Sequence, residues 1–491
     1  MNQLSYLLKY FLFTVITFVM FSCSNTPSPI DPIGPLPTER QMAWQELEYF
    51  AFIHFNMNTF TNKEWGYGDE LPAQFNPTEL DTRQWAKVAK ESGMKGIILT
   101  AKHHDGFCLW PSAYTEHSVK NSPWREGKGD LLRELSEACQ EYGLKMGVYL
   151  SPWDRNHPQY GAPEYITYFR NQLRELLTQY GDIFEVWFDG ANGGDGYYGG
   201  ANEERRVDKK TYYDWPTTHA LVRELQPNAV MFSDAGPDIR WVGNEKGYAN
   251  EMTWSPIYRD SVYGGMPDFH RFAAGQENGT HWIPTETDVS IRPGWYYHPE
   301  EDNAVKSLEK LVDIYFNSVG LNSALLLNLP VDDRGLIHEN DTQQLMLLAD
   351  YIKEMRANEI TNLAQVSVSA SRKGYKPNAI TDADPLTFWA APDGAIQSQI
   401  TLQWDQPQEA NTFEIQEYLP LGQRIKAFQL EVKTHEGWQT VATGTTIGNK
   451  RMLPFTSAPI TAIRFTVNDA KAAVVISSVA VYNAPFIPIK S

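Results

Sequence analysis

Over the first two thirds of the chain, short apolar runs alternate with longer amphipathic stretches. The apolar runs have the length of β-strands and are hydrophobic on both faces, as in a parallel sheet covered by helices. They occupy residues 50–55, 96–100, 145–150, 183–188, 229–232 and 323–328. The amphipathic stretches at 81–91, 130–142 and 163–180 begin at Asp or Pro, and two of them end at Gly. These units predict an α/β fold, a (β/α)8-like barrel over residues 39–358.

The pattern changes beyond this point. Apolar and polar residues then alternate with a period of two, which indicates strands with one buried face. Such segments lie at residues 400–403, 412–415, 428–432 and 463–467, and a more apolar run follows at 474–481. The alternation predicts an antiparallel β-sandwich over residues 359–491.

An open, doubly wound sheet is the alternative to a barrel for the first domain. One Gly-x-Gly-x-x-Gly motif, the sequence signature of a nucleotide-binding loop, occurs at residues 194–199. It begins several residues after the preceding strand and lies in a glycine-rich stretch, whereas a nucleotide loop needs its glycines in the strand–helix turn itself. We therefore interpret this stretch as a flexible loop.

The first 38 residues have the features of a targeting segment and a linker. Lys9 precedes a mostly apolar run, residues 10–21, which is too short for an ordinary membrane-spanning helix. Ser22 and Cys23 follow directly and resemble a bacterial lipoprotein cleavage site. We expect residues 1–22 to be a lipoprotein signal peptide, Cys23 to be lipidated, and residues 23–38 to be a tether. A plain signal peptide cut a few residues later is the alternative.

Composition narrows the choice of partners. The formal net charge of −18 argues against nucleic acid and anionic membrane surfaces as partners, so membrane contact is expected only through a lipid anchor at Cys23. Fifteen Trp and 25 Tyr suit a surface that stacks on sugars. The remaining cysteines, Cys108 and Cys139, are too few for a disulfide framework, and we expect both to be buried thiols. The expected location is the periplasm or the cell surface.

Polar and aromatic side chains follow several of the predicted strands where each strand ends. The carboxyl ends of parallel barrel strands meet at one face, so these residues are expected to lie around one opening. They are His54 with Glu64 and Trp65, His103 with His104, Tyr149, and Trp187 with Asp189.

Two kinds of chemistry fit such a set of residues. A metal site is disfavoured, because adjacent residues such as His103 and His104 point to opposite sides of an extended segment. Paired carboxylates, one as nucleophile and one as acid/base, fit better and are typical of glycosidases. Asp189 is the candidate nucleophile, with Glu245 and Glu286 as possible partners on downstream loops. Asp154 also follows a strand, although a capping or ion-pair role suits it better.

These residues resemble those of the retaining α-L-fucosidases of glycoside hydrolase family 29. The likeness extends over residues 40–353 and is densest at 75–85, 102–112 and 187–190. It implies that Asp189 attacks the anomeric carbon of fucose. His54, His103 and His104 would then bind sugar hydroxyls beside Glu64 and Trp65, while Tyr149 and Trp187 would form the pocket wall.

The resemblance also bears on the acid/base and the substrate. The Gly-Asn-Glu stretch at 243–245 resembles the subgroup acting on α-1,3- and α-1,4-linked fucose in branched glycans, which implies Glu245 rather than Glu286 as acid/base. Trp295 would stack on the leaving glycan, or else pack in the core. The implied activity is exo-acting and retaining, needs no cofactor, and acts on fucosylated oligosaccharides or glycoprotein glycans. An inactive glycan-binding lipoprotein and a retaining glycosidase for another sugar, such as L-galactose, are the alternatives.

The C-terminal domain carries a second resemblance. Residues 378–384, together with Thr387 and Trp389, resemble a loop of discoidin-like, coagulation-factor type C carbohydrate-binding modules. The resemblance implies a possible structural calcium ion in this loop, held by carbonyl and carboxylate oxygens. Whether the domain binds sugar or only supports the barrel stays open.

Overall fold

The computed structural model describes residues 28–488, so Cys23 and residues 1–22 lie outside the described part. Between residues 28 and 328 the structure shows twelve strands. These are β1 (Tyr49–Ile53), β2 (Gly96–Lys102), β3 (Lys145–Leu150), β4 (Ile183–Trp187), β5 (Gly194–Tyr198), β6 (Ala201–Arg205), β7 (Val230–Phe232), β8 (Arg240–Trp241), β9 (Pro256–Ile257), β10 (His281–Trp282), β11 (Thr285–Ser290) and β12 (Ser323–Asn328). The α-helices around them are α1 (Glu39–Gln45), α2 (Met57–Thr61), α3 (Thr82–Glu91), α4 (Leu131–Tyr142), α5 (Pro163–Gln179), α6 (Trp215–Leu225), α7 (Leu308–Ser318) and α8 (Glu339–Ala357).

Eight of these strands form the predicted barrel. Their order is β7-β4-β3-β2-β1-β12-β11-β8, and every neighbouring pair is parallel. A parallel bridge between Phe232 and Ile239 brings the two edge strands together, so the sheet is nearly closed. The barrel prediction is confirmed, and the open doubly wound sheet is excluded.

The helix ends follow the sequence signals. The Asp81 carboxylate accepts a hydrogen bond from the backbone N–H of Arg83 (2.9 Å) and so caps α3. Asp130 caps α4 through the N–H of Arg133 (3.1 Å), and Gly143 ends this helix in the left-handed conformation. The Asp and Gly residues at the ends of α3 and α4 therefore act as the capping residues that the sequence predicts.

The glycine-rich stretch is the first difference from the sequence interpretation. Residues 194–199 do not form a loop: Gly194–Tyr198 is strand β5, paired antiparallel with β6. Gly199 and Gly200 form the turn, both at positive φ (57° and 103°). The glycines thus serve a β-hairpin at the barrel rim.

The C-terminal domain is the predicted antiparallel β-sandwich. Its strands are β13 (Gln365–Val368), β14 (Trp389–Ala390), β15 (Ser398–Glu417), β16 (Ile425–Thr434), β17 (Gly437–Gly444), β18 (Arg451–Ala470) and β19 (Val475–Tyr482). The pairing register of β15 with β18 shifts between Gln403 and Gln408, and the two halves of β15 then pair with different neighbours, β13 and β19. The long strands thereby belong to both layers, with aromatic pairs such as Phe413–Phe465 between them (5.5 Å between ring centroids).

The sandwich contacts the barrel at residues that precede barrel strands. The backbone N–H of Asn322, just before β12, donates to the carbonyl of Lys450 (3.0 Å), and the Lys450 ammonium binds the Glu48 carboxylate just before β1 (2.7 Å). Gln423 bonds the carbonyl of Thr253 (2.9 Å), which is held beside the start of β12 by the side-chain amide of Asn322 (3.1 Å). The sandwich therefore lies at the amino-terminal end of the barrel strands.

Two further observations concern the described residues. Cys108 and Cys139 are both buried and unpaired, as expected. Within residues 28–488, no helix is both long and apolar enough to cross a membrane.

Candidate active site

A pocket of about 160 Å³ opens at the carboxyl-terminal ends of the barrel strands. All ten predicted catalytic and substrate-binding residues line it, although their roles stay predictions. Its lining consists of Phe52, His54, Glu64, Trp65, His103, His104, Tyr149, Trp187, Asp189, Ala191, Glu245, Asp288, Trp295 and Tyr296.

Asp189 lies at the tip of β4 and is held by hydrogen-bond donors. Its Oδ1 accepts from the backbone N–H of Ala191 (2.7 Å), and its Oδ2 accepts from the Tyr149 hydroxyl (3.0 Å). The side chain keeps a quarter of its surface exposed, and His104 Nε2 is 3.8 Å from Oδ2. Two hydrogen bonds therefore fix the orientation of this carboxylate in the pocket.

Glu245 stands at the rim of the same pocket. Its Oε2 accepts a hydrogen bond from the indole N–H of Trp295 (3.2 Å). The surrounding protein and the negative charges of Asp189 and Glu64 raise the pKa of Glu245 above its usual value. The raised pKa keeps this carboxyl group protonated to higher pH than an ordinary Glu, as a general acid requires.

The imidazoles of His54 and His104 each have a partner behind the pocket that fixes the ring. Ser151 donates its hydroxyl hydrogen to the Trp153 carbonyl (2.6 Å), so Ser151 Oγ must accept from His104 Nδ1–H (2.7 Å). The amide N–H groups of Asn328 donate to the Ser290 hydroxyl and the Trp295 carbonyl. Its Oδ1 therefore accepts from His54 Nδ1–H (2.8 Å).

The protonation of these rings follows from their burial. Desolvation lowers the pKa of His54 to about 3 and that of His104 to about 4, and it lowers the pKa of His103 as well. Neutral His54 and His104, with hydrogen on Nδ1, carry a lone pair on Nε2. Both rings therefore offer hydrogen-bond acceptors to hydroxyl groups.

His103 and His104 do not point apart, contrary to the expectation for an extended segment. The chain turns at His104, and the ring centroids of His103 and His104 lie 4.0 Å apart on the same pocket wall. Within residues 28–488, no group of three or more His, Cys, Asp and Glu side chains is arranged to hold a metal ion.

Glu64 holds the segment that carries Trp295. Its carboxylate accepts from the backbone N–H groups of Trp295 (2.9 Å) and Tyr296 (3.2 Å) and bonds His298 Nε2 (2.7 Å). Trp65, beside it, is 55% exposed and meets His104 edge-on (5.4 Å between centroids). Glu64 therefore links two loops, and Trp65 presents an accessible aromatic surface at the mouth.

The floor of the pocket is aromatic. Trp187 stacks on Tyr149 (5.3 Å) and on Phe232 (4.0 Å), and Phe52 packs against it at 5.1 Å. The Trp187 indole N–H donates downward to Glu286 Oε1 (2.8 Å). An apolar floor below a polar wall suits a sugar, which has apolar C–H faces and polar hydroxyl edges.

The competing carboxylates do not line this pocket. Glu286 was expected on a loop, but it lies in strand β11, fully buried inside the barrel below Trp187. Asp154 is also fully buried, and it forms an ion pair with Lys102 (3.0 Å). The interpretation of Asp154 as an ion-pair residue therefore fits its surroundings.

Sequence reasoning missed two carboxyl groups near Asp189. Asp288 follows Glu286 by two residues on the same face of β11 and lines the pocket. Asp234, at the end of β7, packs against Gly190 and accepts from the N–H of Gly265 (2.8 Å). Burial and the charge of Asp189 raise the pKa of Asp234 to about 6. The alternating Thr-Glu-Thr-Asp pattern at 285–288 was the signal for β11.

Comparison with known proteins agrees with this geometry. The family model described as Alpha-L-fucosidase matches residues 36–356, and that of the F5/8 type C domain matches residues 365–480. Alpha-L-fucosidase 1 of Arabidopsis thaliana is 41% identical over 490 residues, which cover 98% of this chain and 94% of the relative. A putative alpha-L-fucosidase 1 of Oryza sativa subsp. japonica is 39% identical over 473 residues. These residues cover 95% of this chain and 88% of the relative.

Solved structures give the same result. A glycoside hydrolase 29 family member from an unknown rumen bacterium has a TM-score of 0.84 and 48% identity, covering 93% of this chain and 79% of its own. A Ruminococcus gnavus GH29 fucosidase in complex with fucose has a TM-score of 0.83 and 32% identity. The match covers 94% of this chain and 98% of the R. gnavus chain. The chain, with its barrel and its F5/8 type C domain, therefore belongs to the alpha-L-fucosidase family of glycoside hydrolases, GH29.

Proposed function

We propose that this chain is an exo-acting, retaining α-L-fucosidase that removes α-1,3- and α-1,4-linked fucose from branched glycans. The observation that carries the proposal is the unequal treatment of two carboxyl groups in one small pocket. Asp189 has two hydrogen-bond donors, whereas Glu245 has one donor and a raised pKa. Asp189 would form the glycosyl-enzyme, and Glu245 would protonate the leaving oxygen and then deprotonate water.

The size and lining of the pocket support action on a terminal 6-deoxy sugar. Its volume of about 160 Å³ is well below the ~300–1,000 Å³ of pockets for drug-sized ligands, and it suits a single sugar unit. The aromatic floor of Phe52, Tyr149 and Trp187 favours a methyl group over the additional C6 hydroxyl of L-galactose. A glycan continuing from the sugar would leave past Glu245 and Trp295 at the rim.

The test compares two substrates, an aryl α-L-fucoside and a Lewis-type branched trisaccharide. With the wild-type chain we expect fucose release from the trisaccharide and weaker aryl activity. Asp189→Asn should lower kcat by about a thousandfold or more on both substrates. Glu245→Gln should lower it by ~10²–10⁴-fold on the trisaccharide, and less on an aryl fucoside whose leaving group needs no proton.

The control variant is Glu286→Gln, which changes a carboxyl group outside the pocket. Activity should survive this change, apart from any loss caused by a shift of Trp187, whose indole N–H donates to Glu286. If Glu245→Gln were harmless and Glu286→Gln inactive, the acid/base assignment would pass to Glu286. Release of L-galactose but not fucose would favour the other sugar, and no release from either fucoside would favour a glycan-binding role. The first-formed anomer, read by NMR, distinguishes retention from inversion.

We also propose that the chain is exported as a lipoprotein through Cys23, in the periplasm or at the cell surface. The support is the apolar run at residues 10–21 followed by Ser22 and Cys23. Mass spectrometry of the membrane fraction should find a lipidated Cys23 at the N-terminus. A mature chain that starts at another residue would contradict this proposal. So would equal recovery of the wild type and the Cys23→Ala variant in the soluble fraction.

A structural calcium ion in the sandwich is the last part of the proposal. The Asp382 carboxylate (2.9 Å) and the carbonyls of Asp384 (3.2 Å) and Ala379 (3.4 Å) surround the Thr387 hydroxyl. Oxygen donors of these types are the ligands that calcium prefers. Metal analysis of the purified chain should find about one calcium, lost in Asp382→Asn; a calcium-free chain would contradict it.

A further inference from the structure

Asp288 lies deep in the candidate pocket, with only one of its two oxygens engaged by the protein. It is 4% exposed, and its Oδ1 accepts from the indole N–H of Trp241 (2.7 Å). Among residues 28–488, Oδ2 has no hydrogen-bond partner. Because Asp288 and Glu286 share the inward face of β11, the free oxygen faces the barrel interior at the level of the pocket.

The charges around Asp288 favour its neutral form. The ionisable side chains nearest to it are Glu245 on the β8–β11 connection and Glu286 on its own strand. No Lys or Arg is among the described residues that line the pocket, where Asp189 and Glu64 add further negative charge. Burial and these carboxyl groups raise the pKa of Asp288 well above its usual range. A neutral carboxyl group carries an O–H donor, and Trp241 already occupies its other oxygen.

Most polar groups in the rest of the pocket are hydrogen-bond acceptors or donate already to carboxylates. Neutral His54 and His104 present lone pairs, and Asp189 and Glu64 present carboxylate oxygens. Four indole and phenol donors are committed to carboxylates: Tyr149 to Asp189, Trp187 to Glu286, Trp241 to Asp288 and Trp295 to Glu245. The lining keeps three other donors, a ring N–H of His103, the Trp65 indole and the Tyr296 hydroxyl. A bound sugar, which has oxygen lone pairs as well as O–H groups, needs donors from the wall.

We propose that Asp288 is a further substrate-binding residue, which donates a hydrogen bond from its protonated Oδ2 to an oxygen of the bound sugar. The inference rests on the proposed function, because it takes the pocket occupant to be a fucosyl unit. Trp241 acts as its positioning residue and fixes which carboxyl oxygen faces the sugar.

The test measures L-fucose binding by calorimetry and hydrolysis of an aryl α-L-fucoside. Asp288→Ala should weaken fucose binding by ~3–10-fold, as expected for one lost hydrogen bond. Asp288→Asn keeps both an N–H donor and an acceptor for Trp241, and it should restore binding to within about twofold. The matched control is Thr287→Val, which alters the outward face of β11, where Thr287 bonds Ser323 (2.9 Å), and should leave fucose binding unchanged.

A second measurement does not depend on removing the side chain. In Glu245→Gln, where the acid/base no longer titrates, fucose binding should weaken as the pH rises through the raised pKa of Asp288 and this group loses its proton. The double variant with Asp288→Asn should bind fucose independently of pH in this range. The inference would be overturned if wild type and Asp288→Ala bound fucose equally, or if Thr287→Val weakened binding as much as Asp288→Ala. Identical pH profiles of fucose binding for Glu245→Gln and the double variant would also overturn it. A wild type that neither binds fucose nor cleaves the fucoside would instead overturn the proposed function.

Discussion

Replacing Glu185 by Gln should remove a large pH dependence from the stability of the barrel. Glu185 and Glu286 project from β4 and β11 into the barrel interior, and both are fully buried. Each accepts one indole N–H, from Trp44 and Trp187 respectively (2.8 Å in both cases). Burial raises the pKa of Glu185 to about 8, and burial with the charge of Glu185 raises the pKa of Glu286 well above its usual value.

The sign and size of the effect follow from proton linkage. The folded-state pKa of Glu185 is raised, so between its ordinary value of about 4.5 and about 8 the folded chain holds a proton that the unfolded chain releases. Its stability contribution is complete below pH ~4.5 and is lost as pH rises to ~8. At ~1.4 kcal/mol per pH unit, the loss is about 5 kcal/mol. For a barrel of roughly 300 residues this equals about 8 °C in Tm.

The assay is thermal unfolding of wild type and Glu185→Gln at several pH values between these limits. The amide retains the acceptor for Trp44 and adds a donor toward Glu286, but it does not titrate. The difference in Tm, variant minus wild type, should therefore rise with pH by several degrees. The control is Glu137→Gln, the same chemical change at an exposed position of α4. Parallel pH profiles for wild type and Glu185→Gln would refute the reasoning.

Three further substitutions test other contacts. Tyr149→Phe removes the hydroxyl donor to Asp189 (3.0 Å), and kcat/KM should fall ~10–100-fold in steady-state assays. Ser151→Ala leaves the buried Nδ1–H of His104 without its acceptor, so KM for the fucoside should rise by about fivefold or more, with a smaller change in kcat. Lys102→Met strands a buried carboxylate, and chemical denaturation should show a loss of ~3–5 kcal/mol. An unchanged value in any of these assays would contradict the role inferred for the corresponding hydrogen bond or ion pair.

Much of the fold and of the pocket could be predicted because the relevant signals are local. A two-faced apolar run predicts a buried parallel strand, and the residue after it must lie at the carboxyl end of the barrel. Asp189, Tyr149 and the His103–His104 pair all reach the pocket for this reason. The prediction required only the direction of each strand, which a parallel barrel fixes.

The parts that could not be predicted depend on long-range contacts or on buried polar side chains. Strand β11 carries Glu286 and Asp288 inside the barrel, where the expected residues are apolar, so its polar sequence was interpreted as a loop. The position of Trp295 depends on Glu64, which is 231 residues away in sequence and holds its backbone N–H. The hairpin of β5 and β6 was also missed, because glycines at turns and glycines in flexible loops look alike locally.

The carboxyl groups in and below the pocket differ in the number of hydrogen-bond donors that surround each of them. Glu286, Asp288 and Glu245 each accept a single indole N–H, and each has a raised pKa. Asp189 differs, because it accepts a backbone N–H and a phenol O–H. A second donor offsets more of the hydration that an ionised carboxylate loses inside a protein. The division of roles proposed for Asp189 and Glu245 therefore rests on the number of N–H and O–H groups that surround each carboxyl group, and not on the choice between Asp and Glu.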